Sequence, residues 1–306
     1  MLNVLNIISR NSNLAMCQTQ IVIDKLKDIY PDLTIHIEKI ITKGDIILDT
    51  SLNLIGGKGL FTQELEQRLK NKTSDLAVHS AKDLPSNLSD EFTISAYLQR
   101  EDPSDCFVSN NFLSIEQMPD DSVIGTSSIR RSSLLKKYFP NLKIKMLRGN
   151  VITRLQKLDQ GLYDGIILAS AGLYRLGLFH RIKQKLPIDV FIPSIGQGAL
   201  AIETLFIRNY IHEFLIPLNH KNTFIEVETE RMIGKLLNAG CSSPISAYAK
   251  ITDNNIRLIA AVLDPNTELM CKFDQEVNLK YKSELVNNCI DQLNRQGAQA
   301  ILKRYI

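Results

Sequence analysis

The sequence predicts an α/β protein of two lobes that face each other across a hinged cleft, followed by a small α+β C-terminal domain. Three observations predict it. Strand-like and helix-like segments alternate in two successive blocks, the pattern of parallel sheets with helical crossovers. The chain passes between the blocks twice, at Arg100-Glu101-Asp102-Pro103 and at Pro193-Ser194-Ile195-Gly196-Gln197-Gly198. Beyond residue 219, one helix is followed by three grouped strands and a closing helix.

In the first block, Val4 to Ser9 reads as a strand and Arg10-Asn11-Ser12 as a turn, with Ser12 placed to cap a helix. Leu14 to Ile29 has helical apolar spacing and ends at Pro31. Leu33 to Ile41 alternates as a second strand. Thr42 to Gly59 carries four glycines without a clear period and reads as a long lid-like loop. Its Gly56-Gly57-Lys58-Gly59 is not a phosphate loop, because no Ser or Thr follows the lysine. Phe61 to Lys70 is a helix, Asp75 to Ser80 a buried strand and Thr93 to Leu98 another.

The second block repeats this logic. Strands are expected at Ser122 to Gly125, Leu142 to Leu147 and Gly165 to Ala169; helices at Ser128 to Tyr138 and Val151 to Gln160, with a helical turn at Ala171 to Leu176. Ala199 to Glu203 reads as a strand able to rejoin the first sheet. In the last block, Thr223 to Leu237 is a helix that Asn238-Ala239-Gly240 ends. Strands follow at Ile245 to Ile251, Ile256 to Val262 and Leu269 to Phe273, then a helix at Ser283 to Gln296. The expected partition is residues 1–99 with 199–218, then 100–198, then 219–306.

Composition narrows the function. The 306 residues are 44% hydrophobic and 23% charged, as in ordinary globular proteins, and no apolar run is long enough to span a bilayer. The first positive charge follows the leading apolar residues instead of preceding them, so a cytoplasmic protein is expected. Five cysteines without a Cys-x-x-Cys pair, and five scattered histidines, argue against a disulfide framework and a metal site. Cys17, Cys106, Cys271 and Cys289 lie in apolar segments and are expected in the core.

Charge distribution is more telling than the net +3. Residues 122–157 hold nine Lys or Arg and no Asp or Glu, a stretch that should attract polyanions. With Tyr138 and Phe139 its only aromatics, it offers little for stacking on bases, so nucleic acid is not the expected partner. Three β-α junctions share one chemistry: Ser9-Arg10-Asn11-Ser12, Gly125-Thr126-Ser127-Ser128-Ile129-Arg130-Arg131 and Arg148-Gly149-Asn150-Val151-Ile152-Thr153-Arg154. Arginine forks match carboxylates or phosphates bidentately, and a helix start adds free N–H donors. Together they describe a cleft for a ligand rich in carboxylates or phosphates, against the plainer reading of solvated basic faces.

The strand at Asp75 to Ser80 runs into His79-Ser80-Ala81-Lys82-Asp83-Leu84-Pro85. A carboxylate beside an ammonium at a strand's carboxyl end is a candidate acid/base site, or a surface ion pair capping a turn. Cys241, between Gly240 and Ser242-Ser243-Pro244, sits in a tight loop where a thiol can serve as nucleophile or attachment point. A buried inert thiol is the commoner fate.

Taken in order, these stretches resemble the porphobilinogen deaminase family. They are Ser9 to Ala15, Thr42 to Asp45, Gly56 to Phe61, His79 to Pro85, Arg100 to Pro103, Gly125 to Arg131, Arg148 to Val151, Ile195 to Ala199 and Gly240-Cys241. The resemblance implies two lobes like those of periplasmic binding proteins and a transferase. It joins four porphobilinogen molecules head to tail, with loss of ammonia, on a dipyrromethane cofactor thioether-linked to Cys241. It implies Asp83 as the catalytic carboxylate. It also implies cofactor or substrate contacts from Arg10, Ser12, Lys58, Ser80, Lys82, Thr126, Ser128, Arg130, Arg131, Arg148, Arg154, Arg175 and Gln197. A monomer is implied, with uroporphyrinogen-III synthase as product acceptor. Two departures stand out: Leu54 where many relatives carry Lys, and Ser243 where an apolar residue usually precedes the proline. The rival from another class is a two-lobed receptor that binds an anion without catalysis.

Overall fold

The structure, a computed structural model, describes residues 2–46, 61–239 and 243–305. The expected lid, residues 42–59, therefore lies mostly outside the described residues, as do Lys58 and Cys241. Thirteen strands and ten helices are described. In chain order the first block gives β1 (Val4–Arg10), α1 (Asn13–Ile29), β2 (Thr34–Ile40), α2 (Lys43–Ile46), α3 (Gln63–Lys70), β3 (Leu76–Ser80) and β4 (Phe92–Tyr97). The second gives β5 (Asp105–Val108), β6 (Val123–Gly125), α4 (Ile129–Tyr138), β7 (Lys143–Lys145), α5 (Val151–Asp159), β8 (Gly165–Ala169), α6 (Ser170–Arg175) and β9 (Gln184–Lys185). Then follow β10 (Leu200–Leu205), α7 (Asn209–Leu215), α8 (Lys221–Leu236), β11 (Ile245–Thr252), β12 (Asn255–Leu263), β13 (Met270–Asn278), α9 (Lys282–Arg295) and α10 (Ala298–Leu302).

The two lobes are built alike. One sheet runs β2-β1-β3-β10-β4 and the other β7-β6-β8-β5-β9. In each, three strands are parallel and a fourth, β10 or β5, enters antiparallel to its neighbours. The strand after the second crossing thus returns to the first sheet, as its apolar sequence predicts. Parallel strands buried on both faces read as apolar runs, and β3 and β8 are buried along nearly their whole length. The third unit is the antiparallel meander β11-β12-β13 with α8 and α9 packed against it. Its core gathers Ile233, Leu237, Leu258, Phe273, Leu285 and Leu293. Two α/β lobes plus a small α+β unit agree with the expected architecture.

Three capped helices point their starts at the space between the lobes. Ser12 Oγ accepts from Ala15 N at the start of α1, and Ser128 Oγ accepts from Arg131 N at α4. Asn150 Oδ1 accepts from Thr153 N at α5. Each cap satisfies one of the donors that a helix start leaves free. Helix α1 buries Ala15, Val22, Ile23 and Leu26 on one face, the periodicity visible in its sequence.

The two crossings lie against each other. Glu101 N donates to Gly198 O, and Gly198 has φ of +89°, where a Cβ would stand 2.4 Å from Glu101 O. Glycine is required there by backbone conformation and by close approach. Arg100 fastens the crossings to the third unit. Its guanidinium pairs with buried Glu230 of α8 at 2.6 Å and donates to Gln197 O, while Glu230 accepts from Gly196 N and Ala249 N.

Some expectations need correction. Part of the presumed loop is the helical turn α2. Strands β5 and β9 and helix α7 were not anticipated, and β13 extends to Asn278. Cys106, Cys271 and Cys289 are buried, but Cys17 is only half-buried, because α1 turns it away from the apolar face.

Candidate functional site

A cleft of about 650 Å³ opens between the two sheets' carboxyl ends. It is lined by Arg10 and Ser12 from the first junction and by Ser80, Lys82 and Asp83 following β3. Ser128, Arg130 and Arg131 reach it from the start of α4, Arg148 and Arg154 from around α5, Arg175 from α6, and Gln197 from the second crossing. Ligands of open α/β sheets bind at such strand ends. Most sequence-predicted site residues are therefore brought together. Thr126 is the exception: it is 3% exposed, does not line the cleft, and accepts from Ser128 N with its hydroxyl. The turn after β6 faces it inward and presents Ser127 instead.

The cleft is strongly unbalanced in charge. Among the described lining residues, seven are Arg or Lys and only Asp45 and Asp83 are acidic. Asp45 is engaged by Arg10, which also lies 4.3 Å over the Phe61 ring. Burial works to raise the Asp45 carboxyl, and Arg10 and Thr42 outweigh it, so its pKa is lowered. Asp83 is half-buried, and no side-chain hydrogen bond to it is seen among the described residues.

The cations around Asp83 are held at a cost. Burial, with Arg131 beside it, lowers Lys82 to about 8, although Asp83 and Asp105 pull the other way. Burial lowers Arg154 to about 10, reinforced by Arg131 and Arg148 and opposed by Asp83. Burial also lowers Arg175 to about 10. Arg154 Nε donates to Gly149 O and Arg175 Nη2 to Gly198 O, neutral partners, and the nearby charges of Asp83 and Glu101 offset the desolvation only in part. Such under-compensated cations favour an anionic ligand.

Sequence reasoning missed Asp105, at the start of β5. It is fully buried and engages both Arg130 and Arg131 at 2.8 and 2.7 Å. An acidic residue opening an otherwise apolar four-residue strand was the available signal. Ser243, noted only as a departure, is buried and lines the cleft. The basic stretch 122–157 divides in space. Its arginines line the cleft, whereas Lys136 and Lys137 donate to the carbonyls of Pro265 and Glu268 and Lys143 pairs with Asp121.

Two α/β lobes flank a cleft whose described lining holds seven cations against two carboxylates, chemistry suited to a polycarboxylate ligand. The chain belongs to the porphobilinogen deaminase family. The family model described as porphobilinogen deaminase, dipyromethane cofactor binding domain, matches residues 5–212, and that of the porphobilinogen deaminase C-terminal domain matches residues 224–293. A porphobilinogen deaminase of Buchnera aphidicola subsp. Acyrthosiphon pisum is 43% identical over 298 residues, covering 97% of this chain and 95% of that protein. Among solved structures, the methionine-binding protein MetQ matches with a TM-score of 0.46 at 12% identity, covering 78% of this chain and 96% of that one. Lipoprotein Tp32 of Treponema pallidum matches at 0.46 and 10%, covering 74% and 95%.

The donor set fits a dipyrromethane. Its two rings each carry an acetate and a propionate, and the cleft offers more cations than its own carboxylates neutralise. Among the described residues no helix is long and apolar enough to cross a membrane.

Proposed function

We propose that this chain is a hydroxymethylbilane synthase that joins four porphobilinogen molecules head to tail, with release of ammonia, on a dipyrromethane primer thioether-linked to Cys241. The primer supplies a free pyrrole α-carbon as the nucleophile for chain growth. The observation that carries this reading is the excess of cations over carboxylates in the lining of the cleft that holds Asp83. Ser243, two residues beyond Cys241, lines the cleft and supports attachment there.

The residues divide the work by chemistry. Asp83 accepts pyrrole N–H groups, stabilises positive charge developing as the amine leaves, and takes the proton from the carbon that has formed the new bond. Arg10, Arg130, Arg131, Arg148, Arg154 and Arg175 meet the acetate and propionate groups, with Lys58 and Lys82 adding charge. Ser12 and Ser128 cap the helices that present them, Thr126 braces the turn through Ser128 N, and Ser80 and Gln197 add a hydroxyl and an amide to the cleft. Lys82, lowered to about 8, remains mostly protonated near neutral pH and regains basicity when a carboxylate enters.

Residues 1–99 with 199–218 form the first lobe, 100–198 the second and 219–306 the cofactor-bearing domain, with the paired crossings as hinge. The protein works as a monomer in the cytoplasm and passes its product to uroporphyrinogen-III synthase. Asp83→Asn tests the assignment. Ammonia release from porphobilinogen should fall by at least about a hundredfold, the contribution of a positioned acid/base group, while the fold is retained. Near-normal release removes Asp83 from the mechanism.

A further inference from the structure

Asp105 is absent from the cleft lining yet touches three residues that form it. Its Oδ1 accepts from Arg131 Nε at 3.1 Å, from Arg131 Nη2 at 2.7 Å and from Gln197 Nε2 at 3.0 Å. Its Oδ2 stands 2.8 Å from Arg130 Nη2. Further donors of these side chains are fixed within the protein, leaving part of each guanidinium for the cleft. Arg130 donates to Ile192 O and Ser194 Oγ, Arg131 to Ile167 O, and Gln197 to Pro103 O. Gln197 Oε1 in turn accepts from Lys82 Nζ at 3.4 Å. One fully buried carboxylate thus fixes two arginines from α4 and one amide from the second crossing, and through that amide reaches the lysine beside Asp83.

The surroundings explain why the carboxylate stays charged. Burial would raise Asp105, but Arg130 and Arg131 outweigh it and hold it far below the usual carboxylate range. Arg130 and Arg131, on consecutive positions of one helix start, would otherwise repel each other in a low-dielectric site. Their shared counterion lets both forks keep one orientation. Pre-arranged donors cost no reorganisation when the ligand's charge arrives.

We propose that Asp105 is a positioning residue for the reaction: it aims Arg130, Arg131 and Gln197 into the cleft and, through Gln197, holds Lys82 in the cleft that Asp83 lines. The inference rests on the deaminase reading. Asp105 touches no ligand itself; it acts through the groups it holds.

The test is Asp105→Asn, which keeps the shape and removes the charge, measured beside the wild type by steady-state ammonia release over a pH range and by thermal unfolding. The expected kcat loss is on the order of a hundredfold, the size that follows from misplacing reacting groups by about 1 Å. A second expected sign is specific to positioning. The charged groups facing Lys82 are Arg131, Asp83, Asp105 and Arg130, and Asp105 is one of the two that favour its protonated form. Removing that charge should move the alkaline limb of kcat/KM to lower pH. A folded Asp105→Asn enzyme with wild-type kcat and an unmoved alkaline limb overturns the proposal. If that variant does not fold, Gln197→Leu decides, since it cuts the link to Lys82 and leaves the ion pairs intact. The same acid-ward shift supports the proposal, and an unchanged profile overturns it. A wild-type chain that releases no ammonia overturns the deaminase reading and this inference with it, which separates the two failures.

Discussion

Arg131 and Arg154 belong to successive helices of one lobe and face one cleft, yet their surroundings are opposite. Arg131 directs two of its nitrogens to Asp105 and a third to Ile167 O. Arg154 has a backbone carbonyl, Gly149 O, as its hydrogen-bond partner and feels Arg131 and Arg148 as repelling neighbours. The first belongs to an inner layer whose charge the protein neutralises itself. The second belongs to an outer layer whose charge is left for a ligand. A polyanion cleft needs both: an inner layer that fixes geometry and an outer layer that stays electrostatically unsatisfied until carboxylates arrive.

The contrast can be broken by substitution. Arg131→Leu should cost about 3–5 kcal/mol of stability, because a buried carboxylate loses a main partner. Urea unfolding checks it, and a loss below about 1 kcal/mol would place Arg131 in the outer layer instead. Arg154→Leu should behave oppositely. Ammonia release falls at least about tenfold, the order of loss expected when one electrostatic contact to the reacting chain is removed. Unfolding free energy in the ligand-free protein stays within about 1 kcal/mol of wild type or rises. A large stability loss would erase the distinction between the layers.

Lys82 sharpens the comparison through pH. In the unfolded chain its value is the ordinary 10.5, and in the fold it is about 8. Between those values the unfolded chain binds the proton and the folded one does not, so stability of the ligand-free protein rises with pH across that window. Lys82→Met removes the slope. It should stabilise the ligand-free protein at pH 7 by about 1–3 kcal/mol, and its advantage should vanish above about pH 10.5. A pH-independent difference would show that Lys82 is not desolvated. The smallest effect belongs to Lys143→Ala, which deletes an exposed pair with Asp121 and should change stability by less than about 0.5 kcal/mol.

The inner layer is also where sequence reasoning stopped. The outer layer was legible because its signals are local: an arginine near a helix cap, repeated at three junctions, and a lysine beside an aspartate at a strand end. The first sheet was legible for the same reason, since β3 reads as a buried apolar strand and Ser12 as the cap of α1. Asp105 was not, because its partners lie 26 residues away for Arg131 and 92 for Gln197. They meet only once β5 has inserted antiparallel beside β8, and four residues give too short a pattern to announce that insertion. Thr126 failed in the opposite direction. It carries the right hydroxyl in the right motif, and only the turn after β6 decides that Ser127 faces the cleft.

The central claim is that the outer layer's charge is met by a polycarboxylate primer bonded to Cys241. Intact-mass measurement of the purified protein and of its Cys241→Ser variant tests it most directly. The account predicts a wild-type mass exceeding the sequence mass by one dipyrromethane, present at once or gained on incubation with porphobilinogen, and no excess in the variant. A wild-type mass that stays at the bare sequence after incubation, or an excess that persists in Cys241→Ser, would contradict it.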